Sequence, residues 1–183
     1  MALATNALTT LSAAKNYLKI AAGDTSRDEL LEELISALSL AMENHIGRAI
    51  IRRQIVDEPH EGSGRVLQLE NYPVTEFAVL LEDGETVPAD KYEVIKASGL
   101  VLGKRAFRGT LLASYSAGYA DTAQNAPRDV QLALWKWLYA SLYTEDGVER
   151  ETLGDYSVQY YGFAEGMPRD TMRLLEPYRT RTV

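Results

Sequence analysis

The chain of 183 residues contains no cysteine. Disulfides, thiolate metal sites and cysteine nucleophiles are therefore excluded, and a reducing compartment is the natural setting. It has only two histidines, His45 and His60. Neither has a second ligand at metal spacing, so a structural or surface role is expected for both. No apolar run approaches the ~18 residues of a membrane span. The first residues show no basic stretch leading into an apolar core, and a chain without a signal peptide is expected. Gly62-Ser63-Gly64 is not followed by the Gly-Lys-Ser/Thr of a phosphate loop. Ser114-Tyr115-Ser116-Ala117-Gly118 comes near a serine-hydrolase elbow but lacks the first glycine that permits the strained turn. Ser116 is thus a poor nucleophile candidate, and no catalytic residue, metal or cofactor is expected.

Basic charge is also scarce. The net charge is -7, which argues against a sequence-independent grip on nucleic acid, since that depends on clustered Lys and Arg. The charge is uneven. Residues 169–183 carry Arg169, Arg173, Arg179 and Arg181 against Asp170 and Glu176, a net of +2, leaving -9 for the remainder. An acidic body with a basic tail suits a tail that docks on an acidic surface; a loosely ordered terminus is the plainer reading.

What is present in quantity is apolar helix and tyrosine. From Val130 to Tyr143 only Gln131, Lys136 and Ser141 are clearly polar. An ordinary surface helix has one apolar stripe and an opposite polar face. This one is either the central helix of its domain or meets another subunit on one side. Pro127 and Asp129 suit its first turn. Upstream, Ser26 with Glu29 forms a capping-box pattern. Leu30, Leu34, Leu38 and Met42 then repeat at helical spacing, with Leu31, Ile35 and Ile46 alongside, and Gly47 suits the end of that helix. Its acidic face reads as solvated. A shorter helix precedes it, capped by Thr9 or Thr10.

From Ile50 the period changes to two. Ile50 to Val56 forms a strand candidate, and residues 61–65 a turn. Val66 to Leu69, Phe77 to Leu81, Val87, Tyr92 to Ile95, Gly99 to Gly103 and Thr110 to Tyr115 continue an antiparallel sheet or small sandwich, with Asp83-Gly84 as a tight hairpin turn. After an acidic break, Leu153 to Tyr161 alternates and is rich in tyrosine, a residue enriched at protein interfaces.

In order, Leu11 to Arg48, Asn71 to Leu102 (with Tyr72-Pro73-Val74, Asp83-Gly84 and Pro88 to Tyr92), Tyr115-Ser116-Ala117-Gly118-Tyr119 with its proline-led helix, Leu153-Gly154-Asp155-Tyr156-Ser157-Val158 and Pro177-Tyr178-Arg179 resemble the head–tail connector proteins of long-tailed bacteriophages, also called adaptor or head-completion proteins. Trp135 and Trp137 depart from the smaller aliphatic run that relatives often carry there. The resemblance implies an α+β, mainly helical body: one connector domain over residues 1–152, with helices at 9–20, 26–47 and 127–143 and a small antiparallel β insert at 50–116. Residues 153–183 form an extended C-terminal arm.

The same resemblance implies a structural virion protein of the head–tail neck, assembled in the host cytoplasm. It forms a homo-oligomeric ring of twelve copies below the portal protein, completes the head, extends the DNA channel and presents a surface to a stopper or tail-completion protein. Genomic DNA passes without specific binding, and no membrane is involved. A neck or tail-completion protein docking on the tail tube is the alternative. Trp135, Trp137, Tyr139, Tyr156 and Tyr160 are expected at the subunit interface, and Arg173, Tyr178, Arg179 and Arg181 at the portal.

Overall fold

A computed structural model of the chain describes residues 3–143, 150–153, 156–159, 163–164 and 166–180. The chain divides into two compact units, one made of residues 1–46 and 122–183 and the other of Gly47–Asp121.

The first unit is helical at its centre. Helix α1 (Leu11–Tyr17) starts at Thr10, whose hydroxyl accepts from the Ala13 N–H at 3.2 Å. The neighbouring Thr9 does not cap the helix. It is buried and accepts the indole N–H of Trp135 at 2.9 Å. Helix α2 (Asp28–Ile46) buries Leu31, Ile35, Leu38, Met42 and Ile46, a spacing of three or four residues that keeps one face inward. Leu30, expected in that stripe, is 47% exposed. The expected capping box does not form. Ser26 instead donates its N–H and its hydroxyl to Asp24 Oδ1, at 3.0 and 2.6 Å, so the aspartate organises the turn before the helix. Buried Lys15 ties α1 to this turn, donating to the Ala22 and Asp24 carbonyls and to Asp28 Oδ1.

Helix α3 (Arg128–Tyr143) is the centre of this unit. Val130, Ala133, Leu134 and Leu138 are buried, and α3 packs against both α2 and α4 (Arg169–Leu175). Gln131, also buried, donates to the Ala126 and Ala123 carbonyls. This polar side chain inside the apolar stretch thus satisfies the backbone of the turn that leads into it.

The second unit is all strand apart from one short 3-10 turn. One sheet has the order β1 (Arg53–Gly62), β7 (Gly109–Ala117), β3 (Val74–Glu82) and β4 (Glu85–Thr86); the other has β2 (Val66–Gln68), β6 (Leu100–Gly103) and β5 (Tyr92–Ile95). All pairings are antiparallel. Leu67, Leu69, Val74, Leu80, Val101 and Leu111 belong to their common core, each contributing roughly 1.5–3 kcal/mol by burial. Asp83 (φ 49°) and Gly84 (φ 85°) make the two-residue turn between β3 and β4, with both central residues left-handed as such hairpins require. Gly118, just beyond β7, has φ 146°, and a Cβ there would lie 2.5 Å from the Arg52 Cα.

The expected fold class needs correction: the chain is β-rich with a smaller helical part, not a mainly helical body with a small β insert. The β region builds a core of its own, because its strands are longer than the alternation suggested. Strand β1 runs for ten residues through Pro59 and His60, beyond the expected end of that strand at Val56. Proline is tolerated because β1 is an edge strand. Of the C-terminal residues, 166–180 include the helix α4, which packs into the first unit. Thr171 and Leu175 of α4 are fully buried, and Thr171 donates to the Ala133 carbonyl. Strands β8 (Arg150–Leu153) and β9 (Tyr156–Gln159) pair antiparallel, and β10 (Phe163–Ala164) pairs with β11 (Met167–Pro168).

Candidate assembly surfaces

Helix α3 carries Trp135, Trp137 and Tyr139 of the aromatic residues expected at a subunit interface, and the structure separates them by exposure. Trp137 is only 8% exposed and has little surface to offer a neighbour. Trp135 is half-buried; its ring stacks on Tyr17 with centroids 5.4 Å apart, and its N–H is taken by Thr9. Tyr139 and Tyr143 are 45% and 46% exposed, with ring centroids 4.9 Å apart. They form the aromatic surface at the C-terminal end of α3. Tyr156 lies in β9, and Tyr160 falls outside the described residues.

The residues expected at the portal are spread over α4 and the segment after it. Arg173 and Arg179 are exposed; Arg181 lies outside the described residues. The Tyr178 hydroxyl meets both Asp129 carboxylate oxygens at 2.8 and 2.9 Å, fixing the segment after α4 to the first turn of α3. Thr180 adds a second tether, donating its N–H and hydroxyl to the Ile46 carbonyl, each at 2.9 Å. Lys136 Nζ sits 2.8 Å from Asp170 Oδ2 and holds that carboxyl below its ordinary value. Arg173 and Arg179 are thus carried on a docked platform.

The buried polar network lies in the β unit and was not anticipated. Glu58 is 6% exposed. Its Oε1 accepts the Glu70 N–H at 3.0 Å and lies 2.7 Å from His60 Nε2, and its Oε2 accepts from the Tyr115 hydroxyl. Tyr115 accepts the Asn71 N–H at 3.1 Å, and Asn71 Oδ1 accepts the Ala49 N–H at 2.9 Å. Burial pushes the Glu58 carboxyl up, but the bonds from His60, Tyr115 and Glu70 outweigh it and hold the group below its ordinary value. Burial, reinforced by the bond to Glu58, raises the Tyr115 hydroxyl. Glu58 and His60 are two apart on one strand and share a face, which was a readable signal. Tyr115 is 57 residues from Glu58, and nothing local marks the pair.

Ser116 sits within β7, paired with Gln54 and Glu76 on the flanking strands, rather than on a strand-to-helix elbow. His45 is in the last turn of α2. Among the described residues no three His, Asp or Glu are grouped to hold a metal, and no helix is long and apolar enough to cross a membrane.

The chain belongs to the head completion protein family, whose model matches residues 7–181. Its fold is similar to that of a chain in the neck of an empty gene transfer agent (GTA) particle computed with C6 symmetry. That match has a TM-score of 0.66 and 19% identity, and covers 100% of this chain and 95% of the other. It is similar as well to a chain in the neck of a native GTA particle computed with C12 symmetry, with a TM-score of 0.61, 21% identity and coverages of 100% and 94%. A chain in the virion of a native GTA particle matches with a TM-score of 0.60, 20% identity and the same coverages. No curated protein sequence matches the chain.

Proposed function

We propose that this protein is a neck component that forms a homo-oligomeric ring below the portal vertex, completes the head and extends the channel through which DNA passes. The observation that carries the reading is the family match over residues 7–181, supported by end-to-end similarity of fold to chains from necks computed with sixfold and twelvefold symmetry. In the ring, Tyr139 and Tyr143 meet the neighbouring copy with the tyrosines of residues 156–160, and Trp135 backs that surface. Trp137 contributes by packing. Arg173, Tyr178, Arg179 and Arg181 face the portal. The acidic body suits a channel wall along which DNA slides without adhering. The protein acts through contact rather than catalysis.

The test is pull-down against purified portal and tail-tube proteins with wild-type protein and the R173E/R179E variant. Deleting residues 168–183 would be a poor test, since it removes the buried Thr171 and Leu175 and unfolds the helical unit. Arg173 and Arg179 are exposed, so their reversal leaves the thermal midpoint unchanged. Capture by portal that falls with the variant supports the assignment. Capture by tail tube alone would transfer the protein to the far end of the neck.

A further inference from the structure

Helix α2 presents an outward stripe that its own unit leaves uncovered. Leu30 and Leu40 are 47% and 51% exposed, and Ala37 lies exposed between them. Beside the stripe runs a groove of about 420 Å³ lined by Ala4, Asn6, Glu32, Glu33, Ser36, Ala37 and Leu40. Its floor is apolar and its rim acidic, with Glu29 one turn before Glu33. An occupant must bring aliphatic surface and positive charge together.

The chain carries such an occupant. Between β6 and β7 the loop Lys104-Arg105-Ala106-Phe107-Arg108 exposes Lys104, Arg105, Ala106 and Arg108 while burying Phe107. The Phe107 N–H donates to the Gly64 carbonyl at 2.7 Å, and the Arg65 guanidinium bonds to the Gly103 and Lys104 carbonyls. The loop is therefore pinned at its centre and base. Arg105 is paired with Glu82, so Lys104 and Arg108 are the cations the loop offers, in a chain whose net charge is -7. Lys and Arg stems cover apolar surface while their heads reach charge at the rim, which is what the groove on α2 requires.

We infer that the 104–108 loop of one copy docks on the α2 groove of the next, as a head-to-tail contact of the ring. The inference rests on the ring reading above and assigns it a surface. Two different, complementary patches on one chain generate a heterologous interface, and such interfaces close into rings when the rotation per copy allows. The charge match sets register and orientation; the aliphatic contact supplies the burial.

The test is sedimentation velocity over a concentration series on the full chain. Three proteins are compared: wild type, K104E/R108E and E29K/E33K, the substitutions all at exposed positions. Each variant alone places like charges at both sides of the contact, and the concentration needed for assembly rises by about tenfold or more. Mixing the two variants restores assembly, because each loop then meets a groove of opposite charge and the copies alternate. Restoration also shows that both variants are folded. If the variants assemble like wild type, or the mixture stays monomeric, the surface assignment is overturned while the ring reading stands. If wild type remains monomeric at every concentration and on portal, the ring reading falls and takes this inference with it.

Discussion

Replacing Tyr115 with phenylalanine removes one oxygen from the centre of the β unit. The ring is retained, including its stacking on Phe77 with centroids 6.3 Å apart, so no cavity opens. Two bonds are lost: the hydroxyl no longer donates to Glu58 Oε2 and no longer accepts the Asn71 N–H. Glu58 Oε2 and the Asn71 N–H are in the buried region of the sheet, so each of these atoms loses its partner where water cannot readily replace it, although Glu58 Oε1 keeps Glu70 and His60. An unsatisfied buried group costs roughly 1–3 kcal/mol, more when charged. The expected destabilisation is about 3 kcal/mol, a fall of about 1.5 M in the urea midpoint at a slope of about 2 kcal/mol per M. The double variant Y115F/E58Q costs less than the sum of its single changes, because it removes the charge that the missing hydroxyl leaves exposed to desolvation. The pH dependence carries a sign. Glu58 is held below its ordinary value of 4.5, so its contribution is complete above 4.5 and is lost as pH falls through the lower folded-state value. The gap between wild type and Y115F is therefore widest near neutrality and narrows in acid. Urea denaturation at neutral and acidic pH reads both effects. A change under about 0.5 kcal/mol, or a gap that does not narrow in acid, would refute the reasoning.

Two further perturbations test the same structure. Gly118→Ala puts a Cβ against the Arg52 backbone at a left-handed position and should cost at least about 2 kcal/mol, whereas Gly23→Ala, with nothing within 4 Å, should be near neutral; thermal melts compare them. Lys15→Met removes a buried ammonium from Asp28 and two carbonyls and should cost about 3 kcal/mol, while Lys19→Met on the exposed surface changes the urea midpoint little.

Local chemistry was the most legible part of the sequence. Asp83-Gly84 announced its hairpin because few residues accept two successive left-handed conformations. The α2 register was readable only in part. Leu30, Leu34 and Leu38 satisfy one helical stripe and Leu31, Ile35 and Leu38 another, and only tertiary packing selects the buried set. The apolar circumference of α3 left two readings, a central helix or a subunit boundary. Coverage by α2, α4, Thr9 and Tyr17 accounts for most of it within its own unit, and Tyr139 and Tyr143 are what remains exposed. Strand β1 extends past the alternating stretch because an edge strand need not alternate cleanly and tolerates Pro59. The C-terminal segment looked like an arm because its anchors are single residues, Thr171, Leu175 and Tyr178, whose partners lie tens of positions away. The acidic rim and apolar floor of the α2 groove were both visible as residues, but their adjacency to Ala4 and Asn6 depends on the fold.

On the proposed function, copies of this chain assemble into a ring on the portal. Negative-stain electron microscopy of the purified protein mixed with portal tests it most directly. The expected class averages show a rotationally symmetric ring sitting coaxially on one end of the portal, leaving the channel open. Bare portals beside free monomers, at concentrations where both proteins are folded, would contradict it.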